Sequence, residues 1–324
     1  HFFCDMINIP HVACLVDAPT QFFSMIKSPK TIIACADESG CEFFRGLHCH
    51  HTLFMPHAAD ITLTSLPLIE ERVYDVVVMS SLIDYQRLRQ EWEGQYHPLV
   101  CKAMDDAVEM TLSDPSTSYV QAFVGALDKQ VSITGALDPR KVDFVSILDD
   151  LEIYLKGRSR IESIRAVKDA EVHVFGAETE TATWKEYLGD AKNIVIHDPV
   201  PFEQALDIMR QSKILLNTSP WSKKGGHERI FSAMAVGTVV LTNENEYLNS
   251  QFKNGKELVL FKNEEPGQIN DLINEYLSNK KLWKQVVDEG RKAIIRGHTW
   301  DHRAKALVKE LEPLLQDIAT NTGA

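Results

Sequence analysis

The stretch from 213 to 246 constrains the fold more than any other part of the chain, because strand, loop, helix and strand patterns follow one another there. Residues 213–217 form a short apolar run typical of a buried parallel strand, and residues 238–242 form a second, rich in β-branched side chains. Between them, apolar residues predict a helix over Glu228–Val236, and Gly237 stands where a helix end favours positive φ. The stretch therefore predicts a βαβ unit.

The loop that enters this helix has the composition of a phosphate-binding loop. Gly225 and Gly226 supply flexible backbone, the helix N-terminus supplies free N–H groups, and Lys223 and Lys224 supply positive charge. Such loops lie at the carboxyl ends of strands, where doubly wound sheets bind ligands. A surface turn with solvated lysines is the alternative, and the local pattern favours neither.

Three motifs resemble a known family. The run HERIFSAMAVG at 227–237 is similar to the donor-binding region of GT-B glycosyltransferases of the group 1 (family 4) type, in particular the spore-maturation, CgeB-like branch. The run HTWDHR at 298–303 resembles the end of the same family, and YDVVVMS at 74–80 resembles the start of its second domain. The resemblance covers most of residues 170–312 and, more thinly, residues 10–80.

The resemblance implies an α/β, GT-B-like fold: two Rossmann-like lobes with a cleft between them, an incomplete first lobe and a helical insertion in the second. We expect residues 1–66 to form a partial N-terminal lobe on the acceptor side. Residues 67–312 are expected to form the nucleotide-sugar-binding domain, with the helical insertion at 82–170, and residues 313–324 a tail. The final helix, from Trp300 onward, is expected to brace the other lobe.

The first lobe is expected to be short. The apolar runs 11–17 and 31–37 both end in Asp, as buried parallel strands often do at the ligand side. About sixty residues form only a partial sheet, whereas a complete Rossmann-like lobe is a domain of ordinary size. We favour the interpretation that the sequence is a carboxy-terminal piece of a longer protein, and a reduced first lobe is the alternative.

The catalytic candidates come from both lobes. Negative charge that builds on a departing phosphate must meet cations, and Arg229 ranks first because a guanidinium engages two phosphate oxygens at once. Glu228 is expected to accept hydrogen bonds from sugar or ribose hydroxyls, and its alternative role is to complement the helix dipole. Asp17 and His57 are the acceptor-side candidates. An inverting enzyme needs one of them as a base, whereas the retaining mechanism that the resemblance implies relies on the leaving phosphate.

The donor-binding candidates follow strands of the second lobe or, for Ser232, lie in the predicted helix Glu228–Val236: Gly176, Asp198, Thr218, Ser219, Pro220, Lys223, Lys224, Gly225, Gly226, His227, Ser232 and Glu244. Many group 1 members have a glutamate that binds the ribose where this chain has Ser232, and Glu244 is a candidate to replace it. Trp221 is expected either to stack on a base or sugar or to anchor the loop by packing.

The resemblance implies a glycosyltransferase of hexosyltransferase type that moves a sugar from a nucleoside-diphosphate-sugar donor to an unidentified glycan, protein or small molecule. It also implies retention of configuration and neither metal nor cofactor. Two alternatives stay open: a non-catalytic nucleotide-binding or interaction module, which Ser232 and the short first lobe favour, and a sugar-nucleotide epimerase. Fold alone does not separate these functions.

The amino-acid composition restricts the classes of partner that we expect this protein to bind. The 324 residues carry 34 Lys and Arg against 46 Asp and Glu, a net charge of −12, which argues against a nucleic-acid-binding surface. No apolar run approaches the roughly 20 residues that span a bilayer, and the six cysteines, without Cys-x-x-Cys spacing, indicate reduced thiols and a cytoplasmic protein. His48, His50 and His51 are crowded, but adjacent ligands converge poorly on one metal ion, so we predict no metal site.

Overall fold

The computed structural model of the chain describes residues 3–134, 138, 140 and 142–321. Its strands form two parallel sheets, one of three strands and one of six, which confirms the predicted two-lobed α/β fold. The strands are β1 His11–Leu15, β2 Thr31–Cys35, β3 Thr52–Phe54, β4 Tyr74–Met79, β5 Val172–Phe175, β6 Ile194–His197, β7 Ser212–Asn217, β8 Val239–Asn243 and β9 Val259–Phe261.

The helices lie before, between and after these strands. Two of them, Pro19–Lys27 and Ile61–Ser65, are 3₁₀ helices. The α-helices are α1 Phe3–Met6, α2 Glu38–Gly46, α3 Tyr85–Gln95, α4 Pro98–Ser113, α5 Tyr119–Thr134, α6 Phe144–Ala166, α7 Trp184–Leu188, α8 Phe202–Arg210, α9 Glu228–Val236, α10 Glu246–Gln251, α11 Gly267–Ser278, α12 Lys280–Gly297 and α13 Trp300–Asn321. No helix in this described part of the chain is both long and apolar enough to cross a membrane.

The first lobe is built on the three-stranded sheet, in which β2 lies between β1 and β3. The sequence of β2, TIIAC, is buried along its whole length, as a continuous apolar run predicts for a strand covered on both faces. Helix α2 covers one face, where Phe44 packs in the same cluster as Ile33. Helix α13 covers the other face, where Ile318 packs with Ile32.

The second lobe is built on the six-stranded sheet, whose order is β6-β5-β4-β7-β8-β9. The chain adds strands on one side of β4 and then returns to add β7, β8 and β9 on the other. In open parallel sheets, ligands bind outside the carboxyl ends of the strands at such a switch point. Successive residues of β4 point to opposite faces, so Val76 and Val77 belong to the two different cores that flank the sheet.

Helices α3 to α6, which we call the helical segment, stand between β4 and β5, where the sequence predicts a helical insertion. They have a core of their own around Trp92, Phe123 and Leu151. The segment also contacts the first lobe, because Thr20 Oγ1 donates a hydrogen bond to Asp149 in α6. The helical segment therefore forms a wall beside the gap between the two sheets.

Helix α13 connects the second lobe to the first. The Arg303 guanidinium donates to the carbonyls of Pro56 at 2.9 Å and His57 at 3.1 Å, near its start. Near its other end, His51 Nε2 and Asp317 Oδ2 lie 2.9 Å apart. Residues 313–321, which the predicted division separates as a tail, continue this helix because Ile318 is buried against the first sheet.

Candidate functional site

A cavity of about 260 Å³ lies between the two lobes and the helical segment. The first lobe contributes the segments that follow β1 and β2, together with His57. The helical segment contributes residues of α5 and α6, and the second lobe contributes the loop that leads into α9. The cavity therefore lies at the carboxyl ends of parallel strands, which is where this class of sheet binds ligands.

The loop before α9 is held in place by side chains. Asn245 Nδ2 donates hydrogen bonds to the carbonyls of Ser222 at 2.8 Å and Gly225 at 2.9 Å. His227 caps the helix, because its Nδ1 accepts the backbone N–H of Arg229 at 3.3 Å. The N-terminus of α9 therefore has a defined orientation, and both His227 and Arg229 line the cavity.

The two loop lysines are engaged elsewhere and do not line the cavity. The Lys223 side chain is fully buried, and its Nζ donates to the carbonyls of Thr111 at 2.6 Å and Asp114 at 2.8 Å, at the end of α4. Burial lowers the pKa of Lys223 to about 8. Lys224 forms an ion pair with Glu42 of the first lobe, at 2.6 Å. In this structure the positive charge at the cavity comes from other residues.

The same loop is joined to the first lobe through Asp37. Asp37 Oδ2 accepts hydrogen bonds from Ser222 Oγ at 2.6 Å and from the backbone N–H of Lys224 at 3.2 Å. The backbones approach so closely that a Cβ atom at Gly225 would lie 2.6 Å from the Ala36 carbonyl oxygen. The glycine is thus required by contact between the lobes, whatever it does for a ligand.

Arg229 and Glu228 lie in the first turn of α9. The Arg229 guanidinium makes long contacts of 3.5 Å with Ser80 Oγ and Asn217 Oδ1, both neutral oxygens. Burial lowers the pKa of Arg229 to about 10, and the charge of Glu228 opposes that shift. Burial also raises the pKa of Glu228, against the effect of Arg229. A cation held mainly by neutral groups at a helix N-terminus can stabilise a bound anion.

Histidines from the two lobes meet at the cavity. The rings of His57 and His227 are stacked, with centroids 6.5 Å apart and an interplanar angle of 23°. Burial lowers the pKa of His57, although the charge of Asp17 opposes the shift. Burial, with a smaller effect of Arg229, lowers the pKa of His227 well below its usual range. Near neutral pH both imidazoles are uncharged. Asp17, which is exposed, also lines the cavity.

Gly176 and Asp198 are among the predicted donor-binding residues that do not line the cavity. Gly176 packs against the end of β4, and a Cβ atom there would lie 2.0 Å from the Ser80 carbonyl oxygen. Asp198 is exposed and follows β6, the edge strand of the larger sheet. In the structure Gly176 packs against the end of β4, and the donor-binding role of both residues stays a prediction.

The remaining donor-binding candidates lie at different depths. Ser219 lines the cavity together with Gly226, and Thr218 and Pro220 are buried beside Ser219 in the turn after β7. Ser232 is buried within α9, and Glu244 is half-buried after β8. Neither Ser232 nor Glu244 lines the cavity.

The helical segment supplies cavity residues that the sequence did not indicate. Lys156 and Arg160 of α6 line the cavity together with Glu152 and with Tyr119 of α5. The Tyr119 hydroxyl donates to Glu152 Oε2 at 2.9 Å, and Lys156 Nζ lies 5.1 Å from the ring centroid of Trp221. The four-residue spacing of 152, 156 and 160 places all three on one helix face. This spacing is the one sequence feature that could have indicated these residues, but it does not show which face of the helix contacts a ligand.

Among the residues described, no group of three or more His, Cys, Asp or Glu side chains is arranged to hold a metal ion. His48 and His50 follow α2 in the first lobe and do not line the cavity. The predicted independence from metals and cofactors stays a prediction.

Comparison with solved structures agrees with a GT-B fold. The chain superposes on Anabaena Alr3699/HepE, solved in complex with UDP and glucose, with a TM-score of 0.53 and 11% identity over 95% of this chain and 73% of that one. HepE in complex with UDP-glucose gives a TM-score of 0.53 and 10% identity, over 96% and 74%. Sucrose-phosphate synthase from Thermosynechococcus elongatus gives a TM-score of 0.49 and 11% identity, over 88% of this chain and only 58% of that one.

Comparison with sequence families gives a match to one part of the chain. The sequence model of the glycosyl transferase-like family matches residues 158–309, a range that contains α9 and the loop before it. A comparison with curated protein sequences gives no match. The architecture is thus that of GT-B proteins, and the second lobe is similar to glycosyl transferase-like domains.

Proposed function

We propose that this protein is a glycosyltransferase that moves a hexose from a nucleoside-diphosphate-sugar donor to a glycan, protein or small-molecule acceptor. We further propose that it retains anomeric configuration, uses no metal ion or cofactor, and belongs to the CgeB-like branch of the group 1 enzymes. One observation carries the proposal: Arg229, on the first turn of α9, lines the cavity between the lobes and contacts neutral oxygens only weakly. The family match over residues 158–309 supports it.

The chemistry requires that negative charge on the leaving diphosphate be stabilised as the bond to the anomeric carbon breaks. In the proposal, Arg229 and the backbone N–H groups at the start of α9 bind that charge. We assign Glu228 to accept hydrogen bonds from donor hydroxyls, because a carboxylate is a strong acceptor. It lies in the first turn of α9, beside the cavity-lining Arg229, but does not line the cavity itself. The HepE structures in complex with UDP and UDP-glucose make a uridine donor the first to test.

The first lobe, residues 1–66, is proposed to hold the acceptor, and residues 67–312 the donor. His57 is uncharged near neutral pH, and it lines the cavity together with Asp17. In a retaining reaction the departing phosphate takes the acceptor's proton, so we assign these two side chains to acceptor orientation. An inverting reaction would instead require one of them to take the proton.

The test combines binding and turnover. The purified chain is screened by thermal shift, without added metal, against UDP, GDP, ADP, TDP and their sugar conjugates, because a ligand that binds only the native state raises the melting temperature. We expect a shift with one nucleotide that Arg229→Ala abolishes, and sugar transfer or donor hydrolysis that Glu228→Ala abolishes while the protein stays folded. The proposal fails if no nucleotide shifts the melting temperature and no donor is consumed.

A non-catalytic binding module is the second candidate. It is favoured by Ser232 in place of the family's glutamate and by the engagement of Lys223 and Lys224 with other groups. Nucleotide binding without transfer or hydrolysis would identify it. A sugar-nucleotide epimerase would instead release an isomer of the donor without any acceptor.

A further inference from the structure

Arg160 reaches the cavity from the helical segment. It lies on α6, and its Nη1 donates a hydrogen bond to the carbonyl oxygen of Ser81, just after β4. Its Nε is buried without a hydrogen-bond partner among the described residues. A guanidinium carries five N–H donors, so the bond to Ser81 leaves much of its capacity unused. A buried donor without a partner is costly, and a ligand in the cavity would supply one.

Arg160 and Arg229 face the same space. Both line the main cavity, and both also line a smaller one of about 10 Å³ beside it. Burial and, second, the charge of Arg229 lower the pKa of Arg160 to about 9. Two guanidinium charges in a poorly solvated site repel each other, and an anion placed between them would offset both the repulsion and the loss of water.

The other nearby cations have partners. Lys156 Nζ lies 2.5 Å from Glu152 Oε1 and over the ring of Trp221. Lys223 is bound to carbonyls at the end of α4, and Lys224 is paired with Glu42. Among the described cations near the loop, Arg160 and Arg229 are therefore the two that a ligand can engage without breaking an ion pair.

We propose that Arg160 binds the diphosphate of the donor together with Arg229, so that α6 of the helical segment forms part of the donor site. The assignment rests on the proposed function for the identity of the ligand, but the anion site itself is testable without it. The chemical class is a diphosphate, whose oxygens can accept hydrogen bonds from both guanidinium groups. The competing role for Arg160 is structural, as an anchor for the Ser81 carbonyl.

The experiment measures the affinity of inorganic pyrophosphate, of UDP and of uridine for wild type and for Arg160→Gln by titration calorimetry. Arg158→Gln is the matched control, because Arg158 lies on the same helix, pairs with Glu109 and Glu162, and does not line the cavity. For Arg160→Gln we expect a Kd for pyrophosphate and UDP about 10-fold to 100-fold higher, the range for loss of charge-assisted hydrogen bonds. The uridine affinity should stay unchanged, and Arg158→Gln should bind as wild type does.

The results separate this inference from the proposed function. If Arg160→Gln binds pyrophosphate within two-fold of wild type, the assignment of Arg160 is wrong even if the enzyme transfers sugar. If pyrophosphate binding depends on Arg160 but no sugar nucleotide is consumed, the anion site stands and the proposed function fails. If Arg160→Gln does not fold, a crystal structure of wild type with pyrophosphate decides: oxygens within hydrogen-bond distance of Arg160 support the proposal, and pyrophosphate bound elsewhere overturns it.

Discussion

The close approach of Gly176 to β4 makes Gly176→Ala an informative substitution. The added Cβ would lie 2.0 Å from the Ser80 carbonyl oxygen, 2.4 Å from its carbonyl carbon and 2.7 Å from the Ser81 nitrogen. All three are backbone atoms, and the ends of both strands are fixed by hydrogen bonds, from Ser80 N to Phe175 O at 3.0 Å and from Gly176 N to His197 O at 3.3 Å. The clash therefore cannot be relieved by a side-chain rotation.

The expected cost follows from that geometry. Overpacking in a well-packed region costs about 1–3 kcal/mol and sometimes more, and because backbone has to move here we expect about 3 kcal/mol. For a chain of 324 residues, with an unfolding entropy of about 2.1 cal/mol/K per residue, that corresponds to a fall in melting temperature of roughly 4 °C. Binding of pyrophosphate should weaken as well, because Ser81 and Ser80 contact Arg160 and Arg229.

The assay is thermal denaturation of Gly176→Ala beside Gly125→Ala. Gly125 is exposed inside α5, and an added Cβ would meet nothing within 4 Å. That control should be stabilised by up to about 1 kcal/mol, because Ala is the better helix former. The packing argument is refuted if Gly176→Ala melts within about 1 °C of wild type. Lost nucleotide binding at an unchanged melting temperature would instead indicate that the glycine makes room for a ligand.

Two further substitutions test the junction between the lobes. Burial, with a second effect of Arg303, lowers the pKa of His298 to about 4, and its Nδ1 accepts from Arg303 Nη2 at 3.1 Å. The unfolded pKa is higher, so stability should be lost as pH falls from 6.5 towards 4, by about 3 kcal/mol in total. Urea denaturation should show that the free energy of unfolding falls less between pH 7 and pH 4.5 in His298→Gln than in wild type. Equal falls in the two proteins would contradict the argument. Asp37→Asn should cost about 1–3 kcal/mol, because the carboxylate accepts from Ser222 Oγ and Lys224 N. Asp37→Asn should also lower the rate of sugar transfer more than it lowers nucleotide affinity. If this variant has the melting temperature and the transfer rate of wild type, Asp37 does not hold the two lobes together.

Local sequence information was enough for most elements of the second lobe. The predicted helix Glu228–Val236 has the bounds that the structure gives. Gly237 adopts a φ of 87°, as predicted for a helix end. These features depend on periodicity, caps and apolar runs within a few residues of one another. A short segment of sequence therefore contains most of the information that determines where such a helix begins and ends.

The charge distribution at the site could not be predicted in the same way. Lys223 lies in a glycine-rich loop at a helix N-terminus, which favours a phosphate contact, yet its ammonium binds carbonyls of Thr111 and Asp114, about a hundred residues earlier in the chain. Arg160 lies in a helix without any motif, yet it reaches the cavity. Each outcome depends on how the helical segment packs against the second lobe, and no local pattern specifies that packing.

The helical segment contacts both lobes next to the cavity and therefore forms part of the site. Lys223 fixes the end of α4 to the loop before α9, Arg160 joins α6 to the end of β4, and Thr20 of the first lobe donates to Asp149. A buried lysine bound to two carbonyls at a helix C-terminus is a favourable anchor, because the helix dipole places negative charge there. The loop lysine thus orients the helical segment, and the helical segment in turn presents Arg160 to the cavity. The sequence assigned the positive charge to the loop lysines, whereas in the structure Arg229 of α9 and Arg160 of α6 bring positive charge to the cavity.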